Sequence, residues 1–243
     1  EDGIRARSPS RGLGDVYKRQ MNIQFHNVLA FFHVVFFVYA IGGDIAVYFI
    51  GQYMTRDELT IEERLRVRSM RFLVDMSART SLVLLLPIGF HLAVSFGSPI
   101  KGNYLYLIWI TSFVWLFLVW QVHFKKGTSL GELLKKIDLS IRYLLAAILI
   151  GFGSYCLLTN TLITTDWLAL KILLFGAILL NGIWIRSIVG SWQNAVDLVL
   201  SGDSNRAHGE ELIKKNQAML NKAALLIWFL VIAMAFLGQV KPF

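Results

Sequence analysis

Six stretches of nearly unbroken apolar residues alternate with short polar connections along the chain, at about 25–50, 79–97, 103–122, 141–159, 166–189 and 220–239. A helix rises ~1.5 Å per residue, so each run of about 20 residues is long enough to cross a hydrocarbon core of ~30 Å. Inside lipid the backbone must satisfy its own polar groups, which makes each run a predicted α-helix. The pattern therefore predicts an all-α integral membrane bundle of six transmembrane helices. Gly97-Ser98-Pro99-Ile100-Lys101-Gly102 has the composition of a tight turn, so the second and third runs form a hairpin.

The polar connections carry helix signals of their own. Thr60-Ile61-Glu62-Glu63 and Ser129-Leu130-Gly131-Glu132 both fit the capping box, where a hydroxyl and a carboxylate satisfy free amides at a helix start. After Thr60, Leu65, Met70, Leu73 and Val74 recur at roughly helical spacing among charged residues, and Glu210 to Lys222 leads into the last apolar run. Both read as helical cytoplasmic extensions of membrane helices.

Composition agrees with the pattern: 56% of residues are hydrophobic, with 17 Phe and 7 Trp. The lone cysteine, Cys156, excludes an intrachain disulfide. The net charge of +8 is a topology signal and not a nucleic-acid signal, because the cations are dispersed over three loops and interleaved with acids. Those loops hold Arg56, Arg64, Arg66, Arg68 and Arg71; Lys125, Lys126, Lys135 and Lys136; and Arg206, Lys214 and Lys215. The positive-inside rule places all three in the cytoplasm and both termini in the periplasm of a bacterial inner membrane. Residues 1–20 are polar, lack an apolar core and are not a secretory signal. Asp15-Val16-Tyr17-Lys18-Arg19-Gln20 resembles the translation of a transposon-end sequencing adapter. The expectation is a non-native or disordered leader over 1–20 and a single domain over 21–243, starting at Met21.

The first helix carries polar groups at a cost, since an ionisable residue at membrane depth is unfavourable by about 2.5–3.5 kcal/mol and normally faces protein, cofactor or water. Counting from the helix ends puts His33 ~12 Å, His91 ~9 Å and Lys171 ~8 Å below the outer boundary. Cys156 and Met234 fall in the same outer third. Imidazole can ligate haem iron or copper, and two histidines on facing helices at one depth are what a b-type haem in a helical bundle needs. The same groups also fit interhelical hydrogen bonds and packing with no cofactor. His26 and His123 read as interfacial and His208 as a loop residue. Nearer the cytoplasm, Asp44, Asp75, Arg79, Arg142 and Arg186 form a second layer, in which Asp44 is expected to pair with an arginine and tie the first helix to its neighbours. There is also a faint internal repeat: Arg79, Gly89 and an apolar hairpin ending near Trp120 are echoed 63 residues later by Arg142, Gly151 or Gly153, and a hairpin ending at Arg186.

His33, followed after eight apolar residues by Gly42-Gly43, resembles the first helix of the copper-resistance protein D-like (CopD-like) membrane family. Trp167-Leu168-Ala169-Leu170-Lys171, then an apolar run and Arg186, resembles that family's Trp/aliphatic/Lys helix. It is also similar to the Trp-to-Lys spacing of the haem-binding HemJ-type protoporphyrinogen oxidases, as is the ending Val240-Lys241-Pro242-Phe243. The chain departs from the latter in having Asn181 where they have a further His, and from copper carriers in having no Met-rich or Cys-x-x-Cys cluster. Zinc-hydrolase, P-loop and Rossmann signatures are absent. The resemblance carries over His33 and Lys171, towards haem binding in one branch and copper handling in the other. With the depth count, the leading expectation is a b-type haem with His33 and His91 as candidate axial ligands and Lys171 on a propionate or handling protons, in electron transfer or a haem-linked oxidation; the rival is copper binding or transport through His33, His91, Cys156 and Met234. A membrane scaffold without cofactor is the third reading. The lipid bilayer is the one partner common to all three; a redox partner fits the first and a homo-oligomer fits any.

Overall fold

The structure, a computed structural model, describes residues 24–201 and 203–242. The leader expected over 1–20 lies outside the described residues. Six long helices account for the fold: α1 Phe25–Tyr53, α2 Ile61–Ala93, α3 Asn103–Phe124, α4 Ser129–Thr159, α5 Asp166–Leu200 and α6 Asp203–Val240. All six contain a window long and apolar enough to cross a membrane. The chain is thus an all-α protein with the make-up of an integral membrane bundle. Each helix packs on its neighbours in sequence, and α1 closes the ring against α6.

Because the helices alternate in direction, one end of the bundle gathers Phe25, the turn after Phe96, the α4–α5 connection and Val240; we call this the first face. The second face gathers Tyr53, Lys125 and the α5–α6 junction. At the first face, Gly97 (φ 83°) and Gly102 (φ 59°) turn the hairpin between α2 and α3, in a backbone region where a Cβ is disfavoured.

The capping signals are met unequally. Thr60 accepts from the amide of Glu63, and the Glu63 carboxylate accepts from the amide of Thr60 at 2.8 Å. At the start of α4 the cap is Thr128, one residue before the expected Ser129; its extended backbone lets Oγ1 accept from the Gly131 amide at 3.0 Å. Glu132 instead meets Lys135 at 3.4 Å.

Only α3, at 22 residues, is close to a membrane thickness in length. The others run past it, and at ~1.5 Å per residue the 38 residues of α6 span ~57 Å. The surplus emerges at the second face as a collar with a small core of its own. Met54, Trp192, Val196 and Ile213 are buried there, with Ile50, Ile61 and Val67 against them. Arg64, 3% exposed, bonds Glu210 of α6 at 2.5 Å and donates to the Arg56 carbonyl at 3.0 Å. Lys214 reaches Asp57 at 2.8 Å, and that ammonium holds the Asp57 carboxyl below its ordinary range.

Within the bundle, the main core joins Val83 and Leu86 of α2, Val119 of α3, Leu149 and Cys156 of α4, and Ile172 and Phe175 of α5. Glycines set the closest approaches. A Cβ on Gly153 would lie 2.8 Å from the Leu173 amide nitrogen and 2.9 Å from the Ala169 carbonyl oxygen, so α4 and α5 touch backbone to backbone. Of the pair Gly42-Gly43, Gly43 is the contact with α2, against Ser77 and Ala78, while Gly42 faces open space.

Candidate functional site

Two groups of polar side chains lie along the helices, one near each face. Their internal arrangement could not be read from depth alone.

Near the first face, His33 packs on α2 at Gly89, where its Cε1 is 3.7 Å from the position a Cβ would take. No side chain stands between the ring and the α2 backbone at that point. The buried His33 Nδ1 has no hydrogen-bond partner among the described residues. An orphaned buried nitrogen is costly, by about 1–3 kcal/mol, and asks for an explanation. Lys171 of α5 is near enough for its charge to act on His33, and its Nζ lies against α6, 2.6 Å from where a Gly238 Cβ would be. Lys241 is close enough to act on Lys171 in turn, its Nζ 4.3 Å from the ring centre of Phe96. Neither ammonium group has a hydrogen bond or ion pair among the described residues.

His91 stands apart from this group. It is two residues on from Gly89, which turns it ~200° around α2. Its Nδ1 accepts from Trp109 Nε1 of α3 at 3.3 Å, and Phe25 meets its ring edge-on at 5.2 Å. His26 is nearby, 3.1 Å from Ser95 Oγ. Cys156 is fully buried in the main core and Met234 packs against it. His33, His91, Cys156 and Met234 therefore share a layer without converging. Among the described residues no three His, Cys, Asp or Glu side chains are grouped to hold a metal ion. Asn181 donates to the Ala223 carbonyl of α6 at 2.7 Å. His123 packs on Trp120 and Phe124 at the end of α3, and His208 sits on α6 and not in a loop.

The layer toward the second face is organised by a residue that hydropathy did not single out. Asp138, with no exposed side-chain surface, accepts from Arg142 Nε at 3.1 Å and Arg186 Nη1 at 2.6 Å. Its other oxygen accepts from Trp115 Nε1 at 2.9 Å. One carboxylate thus ties α3, α4 and α5. The signal that could have found it is spacing, because Asp138 precedes Arg142 by four residues as Asp75 precedes Arg79, and both positions are 63 apart in sequence. Asp75 and Arg79 are indeed ion-paired.

Asp44 departs from expectation. Its carboxylate makes no ion pair or hydrogen bond among the described residues, and Arg79 is held by Asp75. Asp44 instead lines a cavity of about 40 Å³ with Tyr48, Arg71, Asp75, Gln217 and Asn221. At roughly 10–15 Å³ per water centre, such a polar cavity has room for a few waters to solvate the carboxylate. Arg71 and Asp75 also line a second cavity of about 50 Å³, with Arg68, Phe72, Arg79 and Trp192.

No protein-family model, curated protein or solved structure matches the chain.

Proposed function

We propose that this chain is a bacterial inner-membrane protein with its second face in the cytoplasm, holding a b-type haem in its outer half through His33 alone. The orientation rests on the three basic loops, all of which belong to the second face. The observation that carries the haem reading is the buried Nδ1 of His33, without a hydrogen-bond partner among the described residues, in a site where the Lys171 ammonium is close enough to act on it.

The donor set fits that group better than it fits copper. His33 presents a ring nitrogen without a hydrogen-bond partner among the described residues, on a ring that rests against Gly89. Lys171 and Lys241 are two neighbouring cations with no ion pair among the described residues, which suits the two propionates of a haem. His91 has its Nδ1 occupied by Trp109 and faces another way. Cu(I) favours soft ligands, yet Cys156 is fully buried in the main core and Met234 packs among apolar side chains. Bound there, a haem would supply one-electron chemistry. The protein would fix its orientation through His33 and balance its negative edge through the lysines. Asn181, tied to the α6 backbone, offers no ligand. The resemblance of the His33 and Trp167-to-Lys171 segments to CopD-like and HemJ-type proteins supports the same reading, with electron transfer or a haem-linked oxidation as the activity.

The test is the reduced-minus-oxidised absorption spectrum of detergent-purified protein produced with haem available. A Soret and α band that vanish in His33→Ala and persist in His91→Ala are the expected result. A featureless spectrum from the intact protein overturns the reading, and metal analysis of that sample then separates a copper protein from a cofactor-free scaffold.

A further inference from the structure

Three cations meet at the second face without an ion-pair partner among the described residues. Arg68 and Arg71 line the 50 Å³ cavity between α2 and α5. Lys126, just after α3, stands over Phe72, a wall residue of the same cavity, with Nζ 4.1 Å from the ring centre. The Arg68 guanidinium lies 4.3 Å from the Trp192 ring centre and 5.4 Å from that of Phe72, so Phe72 carries two cations.

Their neutral partners leave most of their donors free. Arg68 Nη1 donates to Gln193 at 2.8 Å and Arg71 Nη1 donates to Gln217 at 3.3 Å, out of five N–H donors on each guanidinium. Two carboxylates are close enough to offset part of this charge: Asp75, which pairs with Arg79 and lines the same cavity, acts on Arg71, and Asp197, which accepts from Gln193 at 3.0 Å, acts on Arg68. Charges of one sign held together repel, and Arg68 and Lys126 are close enough to act on each other. Aromatic rings relieve part of that repulsion. An anion with several acceptor oxygens relieves more of it, and a guanidinium matches phosphate oxygens in pairs.

The position names the class of anion. Lys126 lies where α3 ends at the collar, and across Phe72 it meets Arg68 of the α2 extension, beside Trp192. That is the level at which aromatic rings sit in a bilayer interface, and a basic pocket between helices there takes acidic headgroups. We infer that Arg68, Arg71 and Lys126 form a binding site for a phosphate group, presented either by an anionic phospholipid of the adjoining leaflet or by a soluble phosphate. The site lies at the opposite face from His33 and does not depend on the haem reading.

Native mass spectrometry of the full chain in neutral detergent tests it, with phosphatidylglycerol, phosphatidylcholine and inorganic phosphate as probes. A basic residue at a membrane surface contributes about a five-fold factor in affinity for an acidic lipid. Phosphatidylglycerol should bind more tightly than phosphatidylcholine, and Lys126→Gln should weaken it about five-fold. Lys136→Gln, an exposed lysine of α4 away from Phe72, should leave it unchanged. Displacement of phosphatidylglycerol by inorganic phosphate assigns the site to the soluble anion, and failure to displace it assigns the site to lipid. Equal binding of the two lipids, or equal loss in both variants, overturns the inference. Lys126 is exposed, so its replacement leaves folding intact; Arg68→Gln then serves as a second, more buried probe of the same site.

Discussion

Asp138 answers two guanidiniums and an indole from a position with no exposed side-chain surface. Removing one partner from such a set leaves the others buried and unpaired, at a cost of about 3–5 kcal/mol. Asp138→Asn should therefore lower the thermal unfolding midpoint in detergent far more than Asp75→Asn, because the Asp75–Arg79 pair is about a quarter exposed at 22% and 26%. Equal effects would contradict that ranking. Arg142 and Arg186 were legible in the sequence as charges at the edge of apolar runs. Asp138 was not, because it falls three residues outside the run that begins at 141 and reads there as one more solvated charge. Depth along a helix can be counted from sequence, whereas azimuth around it cannot. This is why His33 and His91 could be placed in one layer but not on opposite sides of α2, and why Asp44 could be placed near Arg79 but not on a cavity.

At the scale of elements, six helices and the turn at Gly97–Gly102 follow directly from hydropathy and turn chemistry. Helix contacts do not, since every apolar face resembles every other to lipid. The glycines mark those contacts after the fact. Gly153→Ala drives a methyl into the Leu173 and Ala169 backbone of α5 and should destabilise by about 1–3 kcal/mol. Gly151→Ala, two residues away and meeting nothing within 4 Å, should be neutral or stabilise by up to about 1 kcal/mol through helix propensity. Unfolding midpoints of the two variants, measured side by side, decide whether α4 and α5 approach as closely as described. The slip of the α4 cap from Ser129 to Thr128 has a similar cause: adjacent hydroxyls are equivalent in sequence until the backbone of one is extended.

For the whole molecule, orientation is open to a simple measurement, because the native Cys156 is fully buried and should stay silent toward a membrane-impermeant maleimide. In whole bacterial cells, Thr161→Cys at the first face should label from outside, and Ser129→Cys at the second only after the membrane is opened. The reverse pattern would overturn the placement of the basic loops in the cytoplasm. The collar at that second face also makes the molecule a set of levers. From its cap at Thr60, α2 runs unbroken out of the collar into the span, so a sideways push on its projecting end becomes a tilt of the rod. Pro87, inside α2, lacks the amide that would bond back to Val83 and is the weak joint along that rod. It lies two residues before Gly89, on which His33 rests, so the backbone bond missing at Pro87 falls within one turn of the imidazole seat.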